Sequence, residues 1–117
     1  MLTFVTDKTS TVMVKHIILW TLKDSLTAED KRSVKAAIKA GLEGLKGQVP
    51  GIGDIHVETE GLPSSNADLM LDSTFTDYEA LKAYAVHPAH VAVADTQVRP
   101  FTAVRSCLDF ELQTICK

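Results

Sequence analysis

Apolar and polar residues alternate along some stretches of this chain and repeat at helical spacing along others. Val14 to Leu22 is the first alternating stretch, rich in β-formers. Alternation puts His16, Ile18 and Trp20 on one face and Lys15, Ile17 and Leu19 on the other. Both faces are largely apolar, so both are expected to be covered. Thr27, followed by Asp30 three residues on, opens a helix with Val34, Ile38, Leu42 and Leu45 at helical spacing. Gly41, Gly44 and Gly47 weaken its second half, and Pro50-Gly51 stops it. Ile52 to Glu60 and Ala67 to Phe75 read as two more strands, joined by a polar connection containing Pro63. Asp77 to Val86 reads as a helix opened by Thr76, with Glu79 three residues on. Pro88 ends that helix and opens another to about Arg99, with an apolar stripe of Val91, Ala94 and Val98. Val104 to Leu112 is the last strand.

Strand, helix, strand, strand, broken helix, strand is the α+β, ferredoxin-like βαββαβ order: a four-stranded antiparallel sheet with helices on one face. The other face would expose Ile17, Leu19 and Met70, together with Leu108 and Phe110 if the last strand is phased with them. An apolar patch of that kind marks an interface, and pairing with a second copy about a two-fold axis is the simplest cover. A homodimer is therefore expected.

Composition narrows the function classes. With 45% hydrophobic and 23% charged residues, the chain is an ordinary globular mixture. A formal net charge of −3 provides no basic footprint for nucleic acid, and no apolar run approaches the roughly 20 residues that span a bilayer. Cys107 and Cys116 have no metal-type spacing and are too few for a disulfide scaffold, which points to a reducing, cytoplasmic setting. No paired histidine spacing or HExxH motif is present, so neither a metal site nor a cofactor is expected. Residues 1–12 lack a signal-like apolar segment and periodicity, and read as a flexible extension. The domain is expected over 13–112, with a short tail at 113–117.

The candidate chemistry sits at Tyr84-Ala85-Val86-His87-Pro88-Ala89-His90. His87 reads as the cap of the helix that Pro88 opens, which leaves Tyr84 and His90 at a fixed corner. His90 titrates near neutrality and suits general acid/base work. Tyr84 could donate to a developing oxyanion, and Asp109 could orient the His90 imidazole if its strand face looks toward the helices. The plainer alternative makes His90 a helix-entry residue bonded to backbone. Tyr84 is then core, and Asp109 a strand-end carboxylate in solvent or at the dimer seam.

Val14-Lys15-His16-Ile17-Ile18-Leu19, the Tyr84 to His90 corner followed by Val91, and the terminal Asp109-Phe110 together resemble the stress-responsive dimeric α/β-barrel family, known as Dabb. The resemblance spans about residues 13–112 and implies two sheets closing into a dimeric barrel. A plant branch, the olivetolic acid cyclases, uses a Tyr and a His, and those roles would fall on Tyr84 and His90. That branch also has a histidine where Leu69 stands and an aromatic residue where Ile38 stands, so the polar surroundings differ. His16, Ile18, Trp20, Val34, Ile38, Ile55, Val57, Leu69, Leu71 and Phe101 are expected to line an apolar space between sheet and helices, suited to a small apolar or aromatic ligand. Three readings follow: a dimer binding such a ligand, a cofactor-independent cyclase or isomerase using His90 and Tyr84, and a structural dimer whose pocket is filled by side chains.

Overall fold

In the computed structural model, residues 12–112 are described. The expected tail at 113–117, Cys116, and all of the expected extension except Val12 lie outside them. Strands β1 (Val14–Leu22), β2 (Ile52–Glu58), β3 (Leu69–Phe75) and β4 (Thr102–Glu111) form one antiparallel sheet in the order β2-β3-β1-β4. Helices α1 (Ala28–Glu43), α2 (Tyr78–Val86) and α3 (Pro88–Val93) pack on one face. This is the ferredoxin-like arrangement that the pattern predicts.

Local chemistry sets most boundaries. The Thr27 hydroxyl accepts from the Asp30 N–H and the Asp30 carboxylate accepts from the Thr27 N–H, closing the expected capping box. α1 then tightens into a 3₁₀ turn at Gly44–Gly47, where glycine removes the preference for a regular helix. At the second helix the cap is Asp77 rather than Thr76: its carboxylate accepts from the Ala80 N–H at 2.8 Å. The Thr76 N–H is donated to the Gly51 carbonyl, which leaves Glu79 no donor to complete the expected capping box. The expected helix from Pro88 to Arg99 is α-helical only to Val93, and continues as a π turn (Ala94–Val98) and a 3₁₀ turn (Arg99–Phe101). Pro100 has no N–H to give the carbonyl four residues back, so the regular ladder cannot continue through it.

The sheet register divides the side chains. His16 lies opposite both Ser73 and Asp109, Ile18 opposite Leu71 and Cys107, and Trp20 opposite Leu69 and Arg105. These residues face the helices, and with Ile38, Leu42, Leu45, Val57, Phe75 and Tyr84 they make the core side of the sheet. Ile17, Leu19, Met70, Val104, Leu108 and Phe110 take the opposite face, as the phasing of the last strand requires. Toward β2 that face turns charged, with Asp54, His56, Glu58 and the Lys15–Asp72 ion pair at 2.9 Å.

The β2 edge is closed by the chain itself. Glu43 accepts from the Val57 N–H at 2.9 Å, and Lys39 donates to the Val57 carbonyl at 2.9 Å. One i,i+4 ion pair of α1 thus occupies the N–H and C=O of Val57, through which another strand could pair. Burial pushes the Glu43 carboxyl up, but the Lys39 and Val57 hydrogen bonds and the nearby charges of Lys39 and His56 outweigh it and hold the group below its ordinary value. Among the described residues β4 has no such plug.

Gly51 shows where backbone geometry dictates the residue. Its φ is 89°, and a Cβ there would stand 2.6 Å from the Ala80 Cβ, so the turn and the seating of α2 both need glycine. Gly51→Ala should cost about 2–4 kcal/mol in urea unfolding, from the left-handed backbone and the overlap together. A loss under about 0.5 kcal/mol would show that α2 can move away freely.

Candidate active site

The corner between α2 and α3 brings together two side chains that a continuous helix would separate. Six residues along one helix turn about 240° around the axis, which would put Tyr84 and His90 on different faces. Pro88 instead starts a new axis, and the His87 ring accepts from the Ala89 N–H at 3.1 Å as the cap of α3. The Tyr84 and His90 rings then stack with centroids 4.2 Å apart.

His90 is oriented by backbone. Its Nδ1 lies 3.2 Å from the Ala85 carbonyl, one of the last-turn acceptors that α2 leaves without an intrahelical donor. A carbonyl only accepts, so Nδ1 carries the proton and Nε2 of the neutral ring is the lone-pair nitrogen. Burial lowers the His90 pKa, as do the charges of Arg99, His16 and Arg105, against the opposing Ala85 hydrogen bond. His90 is therefore neutral near pH 7, with a basic nitrogen to offer.

Tyr84 is 1% exposed, and its hydroxyl is buried with no hydrogen-bond partner among the described residues. Burial drives its pKa strongly upward, so the group remains a donor. A buried hydroxyl without a partner costs about 1–3 kcal/mol. Phe75 and His16 pack obliquely and edgewise around the same ring, with centroids 4.9 and 6.2 Å from it.

Asp109 does face the helices, yet it meets His16 rather than His90. His16 Nδ1 lies 2.5 Å from Asp109 Oδ1, so the imidazole donates to the carboxylate across the β1–β4 pair. Cys107 Sγ is 3.5 Å from the same oxygen and 3.9 Å from His16 Nδ1. These three offer metal-type donors within 4.8 Å of one another, a grouping that spacing along the chain did not reveal. Donors around one tetrahedral zinc at about 2.0–2.1 Å would stand roughly 3.3 Å apart, and the 2.5 Å contact is a hydrogen bond instead. Burial and the Asp109 charge raise the Cys107 pKa, so it stays a thiol near neutrality.

Two adjoining hollows share Ile18, Tyr84, His90 and Arg105 as walls. The outer, of about 240 Å³, is completed by His16, Tyr78, Leu81, Lys82, Ala85, Cys107 and Asp109. The inner, of about 80 Å³, runs past Trp20, Leu42 and Leu71 to Ala94, Val98, Arg99 and Thr102. The π turn supplies Ala94 and Val98, an irregularity often found beside functional sites. Of the residues expected to line a ligand space, His16, Ile18, Trp20 and Leu71 do so. Val34, Ile38, Ile55 and Val57 are closed into the core, Phe101 packs against it, and Leu69 is buried at the far side. The cleft thus lies toward the β4 edge rather than in mid-layer. Arg105 and Cys107 were missed; the only available signal was their phase with Asp109 on the last strand.

Comparison with known proteins bears on the fold. A dimeric protein of unknown function with a ferredoxin-like fold from Bacteroides fragilis is 33% identical, with a TM-score of 0.80 over 86% of this chain and 96% of that one. A Dabb family protein with a ferredoxin-like fold from Mesorhizobium loti is 23% identical, with a TM-score of 0.64 over 88% and 99%. The hydroxynitrile lyase of Passiflora edulis is 15% identical, with a TM-score of 0.69 over 92% and 99%, and shares the fold alone. No curated protein matches the chain. The model of the stress responsive A/B barrel domain matches residues 14–112, the whole sheet and its helices, and the chain belongs to that Dabb family.

Proposed function

We propose that the protein is a homodimer, each subunit binding a small apolar or aromatic molecule with one hydroxyl or carbonyl oxygen in the cleft beside β4. The observation that carries this is the buried Tyr84 hydroxyl, a donor without a partner, stacked against a neutral His90. A ligand oxygen would satisfy it, while Ile18, Trp20 and Leu81 supply apolar contact. Pairing of two copies is supported by the apolar half of the outer sheet face and by the dimeric relative from Bacteroides fragilis. Among the described residues no helix is long and apolar enough to cross a membrane, and a cytoplasmic setting agrees with the exposed, free thiol of Cys107.

A second reading, a cyclase- or isomerase-like enzyme, is favoured by one specific feature. His90 Nε2 is the basic nitrogen and Tyr84 the donor beside it. The pair could take a proton from a carbon acid and hold the resulting oxyanion. The purely structural reading accounts for the packed Val34, Ile38, Ile55 and Val57, but gives no role to an unpartnered hydroxyl at a cleft.

Benzaldehyde, a neutral aromatic with a single acceptor oxygen, is a direct probe. Titration followed by amide NMR should move the signals of Ile18, Ala85 and His90 at low millimolar concentration. Shifts scattered over the surface, or none at these positions at saturation of the solution, would remove the cleft as a binding site.

A further inference from the structure

The charges on the cleft walls are nearly all matched. Lys82 pairs with Glu79 at 3.1 Å, Arg99 with Asp95, and Asp109 accepts from His16 at 2.5 Å. Arg105 makes no ion pair among the described residues, although it is a wall of both hollows. Register accounts for the isolation. Arg105 lies opposite Trp20, whose neighbourhood is apolar, and its nearest acid on the same strand face, Asp109, is four residues along and already held. The inner hollow has Arg99, Arg105 and His90 on its walls and no acidic residue. With Arg99 held by Asp95 and His90 neutral, Arg105 is the one cation of that hollow without an acidic partner among the described residues, next to an aromatic and apolar wall.

We infer that the cleft selects an anionic ligand, a small aromatic or apolar carboxylate, with Arg105 as its counter-ion; this rests on the cleft being a binding site. A guanidinium engages a carboxylate through two parallel N–H donors, which specifies planar orientation as well as charge. With the carboxylate on Arg105, the ring of the ligand lies toward Tyr84 and Ile18, and the neutral His90 adds no competing charge. Asp109, at the mouth, is held by the His16 hydrogen bond, which leaves Arg105 without a carboxylate partner.

Benzoate and benzamide separate charge from shape, being nearly isosteric. Benzoate should bind on the order of tenfold more tightly than benzamide, and added salt should weaken only benzoate. Arg105→Gln should weaken benzoate by roughly tenfold and leave benzamide within about twofold, while Arg105→Lys restores part of the loss. The melting temperatures of both variants should stay near the parent's, since Arg105 is exposed and unpaired. Equal affinity for the two probes, or benzoate binding indifferent to Arg105, would overturn the inference while leaving benzaldehyde binding and the cleft intact. Failure of benzaldehyde, benzoate and benzamide alike would overturn both.

Discussion

Leu108→Asp should turn the proposed dimer into folded monomers. Leu108 is 64% exposed on the single chain, and Phe110 and Leu19 are 43% and 42% exposed beside it. All three lie on the half of the sheet where β1 meets β4, away from the charged half at β2. A two-fold axis makes each substitution count twice, placing two unpaired carboxylates in an apolar seam. Burying an unpaired charge costs several kcal/mol, so the dimer Kd should rise by roughly 100-fold or more. Because Leu108 is exposed in the subunit, circular dichroism should change little. Asp54→Ala, on the charged half, should leave the association unaltered. Sedimentation velocity decides the matter: a parent protein that is monomeric at micromolar concentration, or a Leu108→Asp protein that stays dimeric, removes this face as the interface.

Tyr84→Phe should be at least as stable as the parent and should bind benzaldehyde about tenfold more weakly. The expected sign comes from the missing partner: deleting a buried, unsatisfied hydroxyl relieves a penalty, so a gain of about 1 kcal/mol in urea unfolding is expected. If the hydroxyl served the core instead, the same change would destabilise. A loss of 1 kcal/mol or more with unchanged binding would therefore sink the site. His90 adds a pH signature. Its folded pKa lies below the ordinary 6.5, so the unfolded chain takes up the proton first as pH drops. Stability is full above that value and falls as pH declines from it through the folded pKa. His90→Gln should flatten this part of the pH profile.

How much was legible depended on the distance over which each feature is decided. The Thr27–Asp30 box and the His87-Pro88 cap involve groups two or three residues apart, so side-chain type and spacing determine them directly. The alternation of β1 likewise sorts His16, Ile18 and Trp20 from Ile17 and Leu19, because side chains on a strand point to opposite faces in turn. The fold class followed from the order of such elements, as did the apolar outer face. Boundaries failed where a distant group intervened. Thr76 looks like a cap in sequence, but Gly51 claims its N–H.

The site was legible only in part, for the same reason. Tyr84 and His90 are close in sequence, and Pro88 announces the corner that joins them. Asp109 and His16 are 93 residues apart, and their pairing exists only because β4 lies against β1 in one register. A shift of one residue would have turned Asp109, Cys107 and Arg105 to the outer face and Leu108 and Phe110 inward. Periodicity states which residues share a face, and by that rule Val34, Ile38, Ile55 and Val57 are as available to a ligand as Ile18. Close packing of helix on sheet decided otherwise, since Val34 and Ile38 of α1 close with Ile55 and Val57 of β2 into the core, while Ile18 keeps a hollow beside β4. The sequence by itself determined the elements, their faces and the corner; the tertiary structure alone decided which inward side chains touch one another and which face a space, because strand register and layer packing are set by contacts far apart along the chain.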